Sequence, residues 1–191
     1  AGKAQPFTTL DGQVRQLHPD DLMVCDDNQP LALAGTMGGA SSERSESTTE
    51  IALEAVRFDP VCIAKNSRRH KLSSEASRRL ERSVDPSLAE FASARFVQLL
   101  TAHSSAQHVA TVVDGKPRYA PLLMLDPSYI SRILGLEIAP AKIAELLRIV
   151  GCDVDEKIFE VDPPSWRWDL LTPADLAEEV ARMIGYDAIP S

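Results

Sequence analysis

Leu31-Ala32-Leu33-Ala34-Gly35-Thr36-Met37-Gly38-Gly39 is an apolar run that breaks into a glycine-rich loop, and what the loop lacks decides the kind of fold. Glycines after a strand expose backbone amides that can cradle a phosphate. A P-loop needs a lysine after its glycines and a dinucleotide site needs GxGxxG; neither is present, so the stretch reads as a plain turn. Upstream, residues 7–10 and 13–17 flank Asp11-Gly12, a hairpin signal because glycine tolerates positive φ. Residues 22–25 and 31–34 flank Asp26-Asp27-Asn28-Gln29-Pro30 and predict a second hairpin. Downstream, residues 51–58 alternate, with Ile51, Leu53 and Ala55 on one face and Ala52, Glu54, Val56 and Phe58 on the other, and predict another strand.

Helices follow the strands. Ser73 or Ser74 suits an N-cap for a helix reaching about Arg82. The next begins around Asp85-Pro86, and its Leu88, Ala92, Phe96 and Leu99 recur at helical spacing, predicting a stripe buried against the strands. Asp114-Gly115, between residues 111–113 and 118–119, is a further hairpin signal. The domain boundary is placed there, giving domains over 1–119 and 120–191.

The second domain reads strand, helix, helix, strands, helix. Asp126-Pro127 opens a helix ending at Gly135, and residues 140–150 form another ending at Gly151. Val154 and residues 159–161 suggest strands. Thr172 caps a last helix that has Pro173 in its first turn, Asp175 three residues after the cap and Gly185 at its end. The class is α+β, a mixed α/β chain of two domains.

With 191 residues and 44% hydrophobic content, the chain can bury one large or two small cores. No apolar run approaches a membrane span and no leader precedes the first strand, so a cytoplasmic location is expected. Cys25, Cys62 and Cys152 lack CxxC pairing and read as idle thiols. A net charge of −8 argues against nucleic-acid binding through bulk electrostatics. Any RNA contact is local, and its candidate is Arg68, Arg69, His70 and Lys71, followed by Arg78, Arg79 and Arg82, which also read as solvated helix faces.

GxSxG and HExxH are absent, so no nucleophile–histidine hydrolase is supported and no catalytic side chain is assigned. Asp175, Glu178 and Glu179 share one helical face, with Asp169 just upstream, and could hold a hard cation such as magnesium. They have structural uses too: Asp175 can close a capping box with Thr172, and Glu178 can pair with Arg182. Glu54 sits either at a wet strand edge or in a pocket. Ser74 and Ala76 read equally as an N-cap and a helix former.

Several segments together resemble the beta subunit of bacterial phenylalanyl-tRNA synthetase. Thr9-Leu10-Asp11-Gly12, Leu33 to Gly39, Glu54-Ala55-Val56-Arg57-Phe58-Asp59-Pro60 and Ser74 to Arg82 look like successive blocks of that family's editing domain. Pro164-Ser165-Trp166-Arg167-Trp168-Asp169 and Glu178 to Asp187 look like its fifth beta-subunit domain, a small α+β unit similar to a DNA-binding fold. Ser74, Leu80 and Ser83 depart from the family's usual threonine, phenylalanine and glycine.

The resemblance implies a part in ATP-dependent charging of phenylalanine tRNA, with the ligation site on an alpha subunit inside a heterotetramer of two alpha and two beta subunits. It also implies proofreading of tyrosine mischarged onto phenylalanine tRNA, with Glu54 accepting from the tyrosine hydroxyl and Gly35, Ser74 and Ala76 shaping the pocket. Hydrolysis is then expected from a positioned water and the substrate's own hydroxyls. An earlier half of that domain, bearing a histidine motif, is expected ahead of residue 1, which makes a scaffold or RNA-positioning role the alternative. Asp169, Asp175, Glu178 and Glu179 fall on positions expected to bind magnesium shared with the alpha subunit.

Overall fold

The computed structural model describes residues 5–116 and 119–190. The chain divides into two compact units: one runs to Val84 and resumes over Leu88–Ala110, and the other holds Asp85–Ser87 and everything from Thr111 onward.

The first unit begins with the expected hairpin, β1 (Pro6–Thr8) against β2 (Val14–Gln16). Gly12 takes φ +75° in the turn, and Asp11 Oδ1 accepts from Thr9 Oγ1 at 2.5 Å and from Gln13 N at 3.2 Å. The second hairpin pairs β3 (Met23–Cys25) with β4 (Pro30–Leu33), and β5 (Met37–Gly38) adds a third antiparallel strand. A bridge between Thr9 and Gly39 and a bond from Leu10 N to Gly38 O (3.0 Å) join the two sheets. Phe7, Leu17 and Leu33 form the buried centre between them.

Helix α1 (Pro60–Arg69) went unseen in the periodicity, although its start carries a strong signal. Asp59 caps it by accepting from Cys62 N at 2.9 Å, and Pro60 occupies the first turn, where a missing N–H costs nothing. Its buried face is largely polar. Asn66, wholly buried, donates from Nδ2 to Leu22 O (3.2 Å) and accepts from Leu22 N (3.4 Å), so the helix docks by hydrogen bonds as well as through Ile63. Helix α2 (Glu75–Leu80) starts at Ser74 as expected, with a reciprocal capping box to Ser77.

Three expectations fail. Residues 51–58 form no strand: alternation supplies an apolar face, but no neighbouring edge among the described residues offers them a ladder. Helix α3 (Leu88–His103) exists, yet none of its residues is buried, and Phe91 is 71% exposed. Ile63 and Leu80, from α1 and α2, pack beside Gly35 just past β4, and the α3 stripe faces the 53–56 stretch and Val84 across an open pocket. No strand forms at residues 111–113; of the stretch expected to pair with them, Arg118 lies outside the described residues.

The second unit follows the predicted order. Its sheet is antiparallel, ordered β6 (Leu123–Met124), β8 (Glu160–Asp162), β7 (Asp153–Asp155), with Val161 opposite both Leu123 and Val154. Helices α4 (Pro127–Leu134), α5 (Pro140–Ile149) and α6 (Pro173–Ile184) each begin with proline, and α4 ends at Gly135 in the left-handed region. Ile130, Ile143, Leu147, Val161, Leu170, Leu176 and Val180 are sealed from water in one core, which the short strands and three amphipathic helices close from either side. The chain is therefore α+β throughout.

Candidate functional site

Glu54 stands on the extended 51–58 segment at the wall of an open pocket of about 330 Å³, lined by Leu53, Val56, Leu88, Ala92 and Phe96 among others. Apolar neighbours desolvate its carboxyl and raise its pKa above the ordinary value, even though the residue keeps access to solvent. No described residue hydrogen-bonds to it, so its oxygens are free to accept from something that enters. The helical stripe read as core is in fact the opposite wall of this pocket.

The other three expected pocket residues stand elsewhere in the same unit. Gly35 has φ +60°, and a Cβ there would come within 2.8 Å of Ile63 Cδ1 and Leu80 Cδ1 and 3.2 Å of Phe58 Cδ2. Glycine is required both by conformation and by the closeness of α1 and α2. Ser74 is brought to the same place: its hydroxyl donates to Thr36 O at 2.6 Å while capping α2. Ala76 lies on the exposed side of α2. Thus Gly35 and Ser74 are neighbours through the loop, whereas none of the three is among the residues lining the pocket beside Glu54.

A second polar centre escaped sequence reasoning. The fully buried Asp21 carboxylate accepts from the Arg69 guanidinium, from His70 Nε2 at 2.7 Å and from His18 N at 2.7 Å. Since a carboxylate only accepts, His70 carries a proton on Nε2. Burial pushes the Asp21 pKa upward, but these three donors outweigh it and leave the group below its usual value. Arg15 adds a donor to His70 O at 2.8 Å, capping the end of α1. Two of the candidate RNA-binding residues, Arg69 and His70, are thereby committed to holding α1 on the sheets.

In the second unit, Arg167 draws two of the four carboxylates together. It donates from Nε (2.9 Å) and Nη2 (2.8 Å) to Asp169 and from Nη2 to Glu179 Oε1 (2.8 Å). Glu179, buried, also accepts from Arg182. The hydrogen bonds from Arg167 hold the Asp169 and Glu179 pKa values low, and those two carboxylates raise the arginine's. Asp175 closes the expected capping box with Thr172, accepting its N–H at 2.7 Å. Glu178 does not pair with Arg182; it accepts from Tyr186 Oη at 2.8 Å, because Arg182 turns to Glu179. The donor chemistry suits magnesium, but guanidinium groups occupy the space between the carboxylates, and no group of three or more His, Cys, Asp or Glu among the described residues could hold a metal ion. As arranged, the four residues do not fit a resident cation.

Cys152 is buried and its thiol is pushed up to about 11 by that burial, while Cys25 is exposed; neither is paired. No helix among the described residues is long and apolar enough to cross a membrane.

Residues 1–105 match the B3/4 domain family and residues 123–186 match the tRNA synthetase B5 domain family. Among curated proteins, the phenylalanine–tRNA ligase beta subunit of Leifsonia xyli subsp. xyli is 44% identical over the whole of this chain and 23% of its own length. Its counterparts in Streptomyces avermitilis and Thermobifida fusca are 43% and 40% identical, again over the whole chain and over 24% and 23% of their lengths. The chain thus spans about a quarter of the length of the relatives it matches. With the B3/4 match covering more than half its residues and a B5 domain following in order, this chain belongs to the B3/4 domain family and is a segment of the phenylalanine–tRNA ligase beta-subunit kind.

Proposed function

We propose that the chain serves within a phenylalanine–tRNA ligase, an enzyme that charges phenylalanine tRNA with ATP, and that its first unit contributes to hydrolytic proofreading of tyrosine mischarged onto that tRNA. The reading rests on Glu54. An uncommitted carboxylate beside Leu53, Val56, Leu88 and Phe96 offers an apolar bed for an aromatic ring and an acceptor for a ring hydroxyl. A phenylalanine ring would leave that acceptor desolvated and unpaired, which is the physical basis for sparing the correct product. No histidine or cysteine lines the pocket, the Ser93 hydroxyl donates to Glu90 O, and Glu54 is assigned to the ring hydroxyl, so this reading gives cleavage to a positioned water and the substrate's own hydroxyls.

The test uses the assembled ligase, with and without Glu54→Ala, on tyrosyl and phenylalanyl forms of phenylalanine tRNA. The preference for hydrolysing the tyrosyl form is expected to fall about 10- to 100-fold, the worth of roughly 1–3 kcal/mol for one unpaired acceptor. Unchanged selectivity sinks the role of Glu54. A scaffold or RNA-positioning role is the second reading, supported by the position of Gly35, Ser74 and Ala76 away from the pocket walls. Under it, variants of this chain lower tRNA affinity but leave the tyrosyl-to-phenylalanyl ratio alone.

The alpha subunit, the two-alpha two-beta assembly and a magnesium ion shared between subunits belong to the same proposal. For magnesium, the arginines among the carboxylates mean that added donors and a displaced Arg167 would be needed. Calorimetric titration of magnesium into the assembled enzyme tests this, with binding weakened by Asp169→Ala and Glu178→Ala if the ion is held there.

A further inference from the structure

We propose that the outward face of α1, with Lys65, Arg68 and Lys71, is a contact for the sugar–phosphate backbone of RNA; the identity of that RNA as phenylalanine tRNA rests on the functional reading above. Residues 60–82 carry seven lysines and arginines against Glu75 and Glu81, in a chain whose net charge is −8. The structure commits three of the seven and leaves four uncommitted, of which Arg82, exposed past the end of α2, is not on α1. Arg69 is spent on Asp21, and Arg78 and Arg79 face Glu75. Lys65, Arg68 and Lys71 are exposed, and their side chains make no hydrogen bond or ion pair with another described residue.

Position makes the group coherent. Val61, Lys65 and Arg68 follow one another at i, i+4 and i+7 along the solvent side of α1, opposite the buried Ile63, Asn66 and Ser67. Lys71 stands just past the helix end at φ +50°. There the N–H of Leu72 returns to Ser67 O at 2.9 Å, the closing bond of a Schellman turn, whose left-handed residue is ordinarily glycine. A helix dipole explains a cation in the last turn. It does not explain a lysine where glycine would be unstrained, and strain kept at an exposed position points to use of the side chain. The strip also has a firm base, since Asn66, Asp21 and Arg15 tie α1 to the sheets.

Phosphates along a strand are regularly spaced monoanions, which separated point charges neutralise by releasing counterions. With a net charge of −8 on the chain, such a contact is local rather than a matter of bulk charge. The rival occupant is an acidic protein surface.

The experiment measures phenylalanine-tRNA affinity of the assembled ligase against salt for the unaltered protein, R68Q, K71G, R68Q/K71G and R78Q. The double variant is expected to lower the log–log salt slope by about 1.4–1.8, which makes the unaltered protein lose about tenfold more affinity than the variant between 50 and 200 mM salt. K71G separates binding from folding, because it should weaken binding while raising the unfolding temperature; R78Q, already paired with Glu75, should leave the slope unchanged. If the unaltered enzyme binds no phenylalanine tRNA, the functional reading fails. Binding with an unchanged slope in R68Q/K71G overturns the strip alone. A normal slope accompanied by weakened subunit association assigns the face to a protein partner and overturns it equally.

Discussion

Gly35→Ala gives the sharpest test of how the first unit is built. The substitution meets two costs that are read directly from the backbone. At φ +60° an alanine pays about 1 kcal/mol relative to glycine for the left-handed conformation. Its Cβ would also lie 2.8 Å from the ends of both Ile63 and Leu80. Leu80 is at the edge of burial and can rotate, whereas Ile63 is completely enclosed, so overpacking adds about 1–2 kcal/mol, in the lower part of the range for crowded cores. The expected loss is therefore about 2–3 kcal/mol in the first unit. Urea titration read by amide hydrogen exchange at Ala34 and Thr36 measures it, while Trp166 and Trp168 fluorescence follows the second unit separately. Combining the change with Leu80→Ala should cost less than the sum of the two, because truncation removes one of the two clashes. A loss below about 1 kcal/mol, or strict additivity with Leu80→Ala, refutes the close-packing account.

Asp21→Asn should destabilise the first unit by roughly 3 kcal/mol, since it breaks a buried charge network without removing Arg69 or His70. Because the folded pKa of Asp21 lies below its unfolded value, its contribution is complete above about pH 4 and fades as pH falls through the folded value; a stability–pH profile from 6 to 2 should show that component only in the unaltered protein. Ser83→Gly should stabilise by about 0.5 kcal/mol, the relief of roughly 1 kcal/mol at φ +66° less the partly exposed bond that Ser83 Oγ accepts from Arg57, and no rise in the midpoint of urea unfolding refutes it. In the second unit, Arg167→Met should cost about 1–2 kcal/mol by removing one of the two guanidinium partners of the buried Glu179 and leaving only Arg182, against roughly 0.5 kcal/mol for Asp169→Asn at a half-exposed position; equal losses would mean that Glu179 does not depend on Arg167.

The second unit was legible because its signals are local and agree with one another. Proline after Asp126, after Ala139 and after Thr172, with glycine after Leu134 and Ile184, marks helix ends through backbone chemistry that needs no knowledge of neighbours. The first unit was read less well for the opposite reason. Residues 51–58 have the alternation of a strand, but a strand is made by a neighbouring edge, and no described residue supplies one. Helix α1 hid because its buried face combines Ile63 with the polar Asn66 and Ser67 rather than forming an apolar stripe, so periodicity had little to detect, even though Asp59-Pro60 announced its start.

The same distinction governs the sites. Glu54 could be singled out because a lone carboxylate among Ala52, Val56 and Phe58 is conspicuous in one dimension, yet the other wall of its pocket comes from α3, more than thirty residues away in sequence. The terminal carboxylates show the converse error. Their i, i+3, i+4 spacing on α6 suggests convergence, but Glu179 turns inward to Arg167 while Glu178 turns outward to Tyr186, because the helix must bury Leu176, Ala177 and Val180. Spacing names the face a residue occupies, and the partner that reaches it first decides its chemistry. Arg167 and Arg69 reached their carboxylates first; no described residue pairs with the side chains of Glu54, Lys65, Arg68 or Lys71, and those are groups left to act on something else.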